Sequence, residues 1–211
     1  MTSAASAAGF CGRPGLVVGR SGELSAGTGE ARLSAGTGRH VWLHGADARV
    51  HEFHGGVAFD EVCGRLGGAA VSTALTRSNA RTLGGMATWL ADRGVVAWRI
   101  VVVGGGVVDG VTPRLAVALP YALQALALAG TRGVHGWCFG APHCLLGPFR
   151  GAALGSEPRA YGGRCAGCPA RASCPGVDAG YLARFGDEEL SPRALRSAGE
   201  GPRGGRELFD A

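Results

Sequence analysis

Apolar residues recur along this chain in alternating rhythms. Leu83, Met86, Ala87 and Leu90 stand at i, i+3, i+4 and i+7, the stripe of an amphipathic helix; Ser78 or Asn79 offers an N-cap and Gly94 a stop. Thr112-Pro113 has the order expected of an N-cap and first helical residue, and predicts a second helix that turns Leu115, Leu119, Leu123 and Leu126 inward. Between them, residues 97–103 (AWRIVVV) form a continuous apolar run with a Gly-rich exit at Gly104-Gly105-Gly106, the mark of a strand covered on both faces. Shorter strands are predicted at 40–44 (HVWLH), 69–75 and 134–137, and short helices at 57–66 and 180–190. Strand and helix therefore alternate, which predicts an α/β fold with a parallel sheet and helical crossovers. Four strands are too few to close an eight-stranded barrel; they suit an open sheet or part of a larger barrel.

Composition divides the chain unevenly. Residues 1–39 are rich in Gly and Ser and repeat the segment LSAGTG, which predicts a poorly organised stretch. Residues 40–137 carry the alternating elements, residues 138–192 are rich in Gly, Pro, Arg and Cys, and residues 193–211 read as a loose tail. The net charge is +5, with 21 basic residues, all Arg, scattered singly. Phosphate binding needs charge concentrated on one surface, so a nucleic-acid partner is not expected. The longest apolar stretch, 115–129, is shorter than the roughly 18–20 residues that span a bilayer and is interrupted by Pro120 and Gln124, so no membrane partner is expected either. The N-terminus lacks the basic and apolar regions of a secretory signal, which points to the cytoplasm.

The strongest chemical signal lies in the cysteines. Of seven, Cys11 and Cys63 stand alone, whereas Cys138, Cys144, Cys165, Cys168 and Cys174 crowd together. An odd number, clustered at one end, favours metal ligation over a disulfide framework. RCAGCPARASCPG places Cys165, Cys168 and Cys174 in a C-x2-C-x5-C frame, with Cys144 upstream in PHCLLG. A C-x-x-C turn aims two sulfurs at the same side, and Gly167, Pro169, Pro175 and Gly176 supply the tight turns that bring backbone amides toward sulfur. Arg164 and Arg171 would offset part of the thiolate charge. Cys144 is the expected fourth ligand, bracketed by Pro142 and Gly147, whereas Cys138 ends a predicted strand. Four thiolates accept either a [4Fe–4S] cluster or a structural zinc ion, and spacing alone leaves both open.

Three segments carry a resemblance. VWLHGADARVHEFHGG (41–56), VSTALTRSNARTLGGMATWLADRGVVAWRIVVV (71–103) and PHCLLG with CAGCPARASCPGVDAGYLARFGDEELSP (165–192) together resemble radical S-adenosylmethionine proteins that have a SPASM- or twitch-like C-terminal auxiliary cluster. The likeness implies a partial (β/α) barrel of the radical-SAM type with an irregular Cys-rich extension, an auxiliary [4Fe–4S] cluster, and S-adenosylmethionine as a second cofactor. It implies a peptide or small-molecule substrate, and it places Thr73, Arg77 and Asn79 near the nucleoside or carboxylate of S-adenosylmethionine.

The sequence also departs from that family. No C-x3-C-x2-C triplet is present to hold the cluster that cleaves S-adenosylmethionine, and the Gly-rich motif of the second strand is missing. A truncated gene product, a degenerate paralogue or half of a split enzyme would look like this, and activity would need a partner protein that supplies the first cluster. The alternative is a non-catalytic module whose cysteines hold zinc or a cluster for structure. Other motifs carry less. His44, His51 and His54 lack the i, i+4 spacing of common helical zinc pairs, Gly104-Gly105-Gly106 lacks the frame of a phosphate loop, and Asp187, Glu188 and Glu189 read as a solvated helix face.

Overall fold

The computed structural model describes residues 16–18, 24–26, 40–54, 58–102, 110–155, 160–192 and 209. Within the N-terminal segment expected to be irregular, Leu16–Val18 (β1) and Leu24–Ala26 (β2) pair as an antiparallel hairpin. The second LSAGTG copy, Cys11 and Gly104-Gly105-Gly106 lie outside the described residues.

Five strands form one parallel sheet: His40–Trp42 (β3), Ala70–Leu75 (β4), Ala97–Val102 (β5), His135–Phe139 (β6) and Ala153–Leu154 (β7), in that spatial order. The helices are Ala48–His54 (α1), Phe59–Cys63 (α2), Leu83–Asp92 (α3), Leu115–Thr131 (α4), His143–Leu146 (α5) and Ala179–Phe185 (α6). The fold is α/β, as the alternation predicts; β7, α1 and α5 are additional to it. None of the described helices is long and apolar enough to cross a membrane.

The spatial order of the sheet strands never reverses along the chain. Parallel crossovers are right-handed, so an unreversed order sends successive helices to the same side of the sheet. The packing agrees. Leu43, Val71, Leu75, Trp98, Ile100, Val102 and Cys138 share one core with Leu83, Met86 and Leu90 of α3 and Leu115, Leu119 and Leu126 of α4. Each such large side chain contributes roughly 1.5–3 kcal/mol through removal from water. The opposite face holds a smaller cluster of Ala74, Val101 and Val111, with Trp42 and Phe139 against it. Apolar cover on both faces of β5, expected from the sequence, is interrupted at Arg99, which shares the row Trp42, Ser72, Arg99, Trp137 on the face opposite α3 and α4.

α4 begins two residues later than Thr112-Pro113 suggests. Its N-cap is Arg114, whose side chain makes no cap hydrogen bond. The first amides of a helix lack intrahelical partners, and here distant residues supply them: Leu115 N–H donates to the Tyr181 hydroxyl at 2.8 Å and Ala116 N–H to Glu189 Oε2 at 3.2 Å. Tyr181 in turn donates to Glu189, and Arg114 Nη1 lies 3.4 Å from Glu189 Oε1. Glu189 is therefore not on a solvated helix face. Its side chain is 10% exposed and sits beyond α6, where a carboxylate complements the positive end of α4. The contact ties the Cys-rich region to the sheet's helical layer. Tyr181→Phe is expected to cost about 1–3 kcal/mol, since it orphans a buried amide; urea unfolding of the variant checks this.

Candidate metal centre

β6 ends at Phe139, and Gly140 turns the chain through a positive φ of 75° toward Pro142, His143 and Cys144. The Cys-rich loop returns to the same place. Cys168 N–H donates to Cys165 O at 3.2 Å and Cys174 N–H to Ala170 O at 2.9 Å, so consecutive turns bring the three cysteines round to one side. Cys144, Cys165, Cys168 and Cys174 thus line one shallow hollow that opens to solvent, with His143, Tyr161, Arg171, Gly176 and Leu190 around them. Cys138 is elsewhere. It is fully buried in β6 on the helix-covered face, and burial pushes its thiol up to about 12.

The thiols feel one another. Burial raises Cys144 first; the Ser191 backbone amide opposes this, and Cys174 and Cys165 raise it further. Burial likewise raises Cys165, opposed by the Gly162 backbone and reinforced by Cys168, Cys174 and Asp187. Ionised sulfurs gathered this closely repel each other, and a bound cation relieves that repulsion. Backbone donors converge on one of them: the amides of His143 and Gly176 each lie 3.4 Å from Cys174 Sγ. Among the described residues, no group of three or more His, Cys, Asp or Glu side chains has the arrangement that holds a metal ion.

Two glycines are required by this geometry. Gly176 has φ +69°, and a Cβ there would come within 2.4 Å of the Ala160 carbonyl oxygen, which accepts Val177 N–H at 3.0 Å. At Gly162 a Cβ would lie 2.2 Å from Asp187 Cβ. That close approach lets Asp187 Oδ2 accept Arg164 N–H at 2.8 Å, while Gly162 O accepts Cys165 N–H at 3.0 Å. Tyr161, which the sequence reading did not single out, donates its hydroxyl to Cys174 O at 2.8 Å and lies 4.8 Å beneath the Arg171 guanidinium. Arg171 borders the hollow, whereas Arg164 is paired with Asp187 at 4.0 Å.

The residues assigned by resemblance to S-adenosylmethionine sit at or near the ends of the strands and have other partners. Thr73 is fully buried, donates to Leu43 O at 2.7 Å and accepts Trp98 Nε1–H at 2.9 Å. Asn79 is also fully buried: Oδ1 accepts Thr76 N–H at 2.9 Å, and Nδ2 donates to His44 O at 2.9 Å and Ala74 O at 2.7 Å. It caps neither α3 nor the short turn before it through its side chain. Arg77 is exposed and donates from Nε to Thr112 O at 3.0 Å, holding the entry to α4.

His44, His51 and His54 are all buried. His44 stacks on His51 at 5.8 Å and meets His54 edge-on at 6.0 Å. His51 Nδ1 accepts His44 N–H at 3.2 Å, and His54 Nε2 lies 2.6 Å from Ser78 Oγ. The rings lock α1 against the ends of β3 and β4. Burial, followed by the neighbouring His51 and His54, lowers His44 to about 3; burial and then His51 lower His54 to about 4. The unfolded chain takes up protons near pH 6.5 while the folded one does not, so stability is full above pH 6.5 and falls as the pH drops toward 4. For His44 alone this amounts to about 2 kcal/mol between pH 7 and pH 5. Urea midpoints at the two pH values are expected to show that loss, and His44→Gln to reduce it.

No protein-family model, curated protein or solved structure matches this chain.

Proposed function

We propose that this chain is a radical S-adenosylmethionine-like protein that binds an auxiliary [4Fe–4S] cluster through Cys144, Cys165, Cys168 and Cys174. The observation that carries the reading is the shared hollow lined by those four cysteines and not by Cys138. The donor set fits the group: four thiols on irregular, Gly- and Pro-supported turns, with backbone amides directed at sulfur. Four thiols accept either a zinc ion or a [4Fe–4S] cluster, and the resemblance of the cysteine-rich segment to auxiliary-cluster regions is what favours the cluster. The unreversed parallel order β3 to β7, with α3 and α4 packed on one face, is the arrangement of consecutive units in a (β/α) barrel and supports the partial-barrel reading.

A bound cluster would supply one-electron chemistry. The chain's own part is to hold the thiolates, donate amide hydrogen bonds to Cys174, and limit water through Tyr161 and Leu190. In this reading the protein is cytoplasmic, its substrate is a peptide or small molecule, and a partner protein supplies the S-adenosylmethionine-cleaving cluster. The internal hydrogen bonds of Thr73 and Asn79 favour a second reading, a non-catalytic cluster-binding module. Anaerobic reconstitution with iron and sulfide tests the shared claim: the desalted chain should retain iron and acid-labile sulfide in equal amounts, and loss of both would refute cluster binding. Calorimetry with S-adenosylmethionine then separates the two, because binding supports the radical-enzyme reading and a flat titration supports the module.

A further inference from the structure

β5 is apolar along its length except for Arg99, which lies in mid-strand on the sheet face opposite α3 and α4. Setting a guanidinium on a sheet face is costly unless its surroundings replace water. Here Arg99 Nε donates to Ser72 Oγ at 3.0 Å, and Ser72 Oγ lies 2.7 Å from His40 Nε2. Aromatic rings complete the surround: Trp42 at 5.9 Å, Phe139 at 5.7 Å and Phe209 at 4.7 Å from the Arg99 guanidinium carbon. Each is within the range of cation–π attraction. Within β4 and β5 the rows flanking Ser72 and Arg99 are small and buried, Ala70 beside Ala97 and Ala74 beside Val101.

Phe209 is the informative member. It comes from far along the chain, approaches nearer to Arg99 than the two rings of the sheet itself, and meets His40 edge-on at 5.8 Å. It is only half-buried. In sequence it stands in RELFDA, with Glu207 two residues before it and Asp210 directly after, while the chain as a whole carries +5. The Arg99 surface thus combines what such a segment needs: a cation, ring faces and a polar Ser–His edge.

We propose that the sheet face opposite α3 and α4 carries a docking site, centred on Arg99, for a polypeptide segment that presents an aromatic side chain flanked by carboxylates, and that Phe209 fills this site in cis. A partner peptide of the same chemistry must displace Phe209 to enter. Tethering gives the internal segment an effective concentration on the order of 1 mM, so an external competitor binds the intact chain weakly. This inference uses residues apart from the cysteine hollow and stands whether or not a cluster binds there.

The test titrates the full chain, wild type and Phe209→Ala, into a fluorescently labelled peptide of sequence RELFDA and follows anisotropy. Phe209→Ala is expected to bind the peptide at least about tenfold more tightly than wild type, through release of the internal competitor. A peptide with its Phe replaced by Ala should lose that gain. Arg99→Lys in the Phe209→Ala background should also weaken binding several-fold, since Lys keeps the charge but not the planar fork. Equal binding by wild type and Phe209→Ala, including no binding by either, would overturn the proposal. So would an Ala-substituted peptide that binds as well as the original.

Discussion

Replacing Cys144 with Ala is expected to abolish retention of iron and sulfide by the reconstituted chain, whereas Cys138→Ser leaves both in place. The two cysteines lie only six positions apart in sequence and differ in everything else. Cys144 follows the turn after β6 and lines the hollow, and its thiol is pushed up first by burial and then by the nearby Cys174 and Cys165. Cys138 lies inside β6 in register with Ile100, on the face packed by α3 and α4. Its thiol behaves as a small core hydrophobe, and Ser in its place adds a hydroxyl with no evident partner. Cys138→Ser should therefore cost stability of about 1–3 kcal/mol while sparing the metal. The opposite pattern, iron lost with Cys138 and kept without Cys144, would require a different ligand set.

Asn79→Ala should produce the largest loss of stability among the polar substitutions, about 3–5 kcal/mol. Three hydrogen bonds leave this one side chain, to the Thr76 amide and to the carbonyls of His44 and Ala74. They tie the end of β3 to the end of β4, and with the side chain gone one donor and two acceptors stay buried without it. Asn79→Asp keeps the shape but replaces two donors with acceptors facing carbonyls, so it should do no better at neutral pH. Urea unfolding of both variants decides the matter; a loss below about 1 kcal/mol for Asn79→Ala would mean that water reaches this corner.

The periodic elements were legible because their physics is local. The stripe Leu83, Met86, Ala87, Leu90 is buried against the sheet, as its spacing requires, and the apolar runs of β4 and β5 pair in parallel. The cysteine frame was legible for the same reason: turn chemistry at Gly and Pro is written into neighbouring residues. The rest depends on partners distant in sequence. Glu189 looked like a solvated acid until folding brought it to the first amides of α4. α1 escaped a hydrophobic-pattern reading because its buried positions are His51 and His54, which no apolar pattern marks. β7 has two residues, too few to show a period. Arg99 and Phe209, far apart along the chain, have no sequence signature as a pair.

Asn79 and Thr73 illustrate the limit of carrying roles over by resemblance. A polar residue near the end of a parallel strand can contact a ligand or fasten adjacent strands, and the two look alike in sequence. In this fold both side chains are occupied by the backbone and Trp98. The cysteine hollow is different, since its sulfurs face a shared space.

The central claim is tested most directly by counting metal and acid-labile sulfide in the anaerobically reconstituted chain, beside Cys165→Ala. Binding of a [4Fe–4S] cluster predicts about four iron and four sulfide per chain, lost in the variant. About one zinc and no sulfide would contradict it and make the four cysteines a structural zinc site.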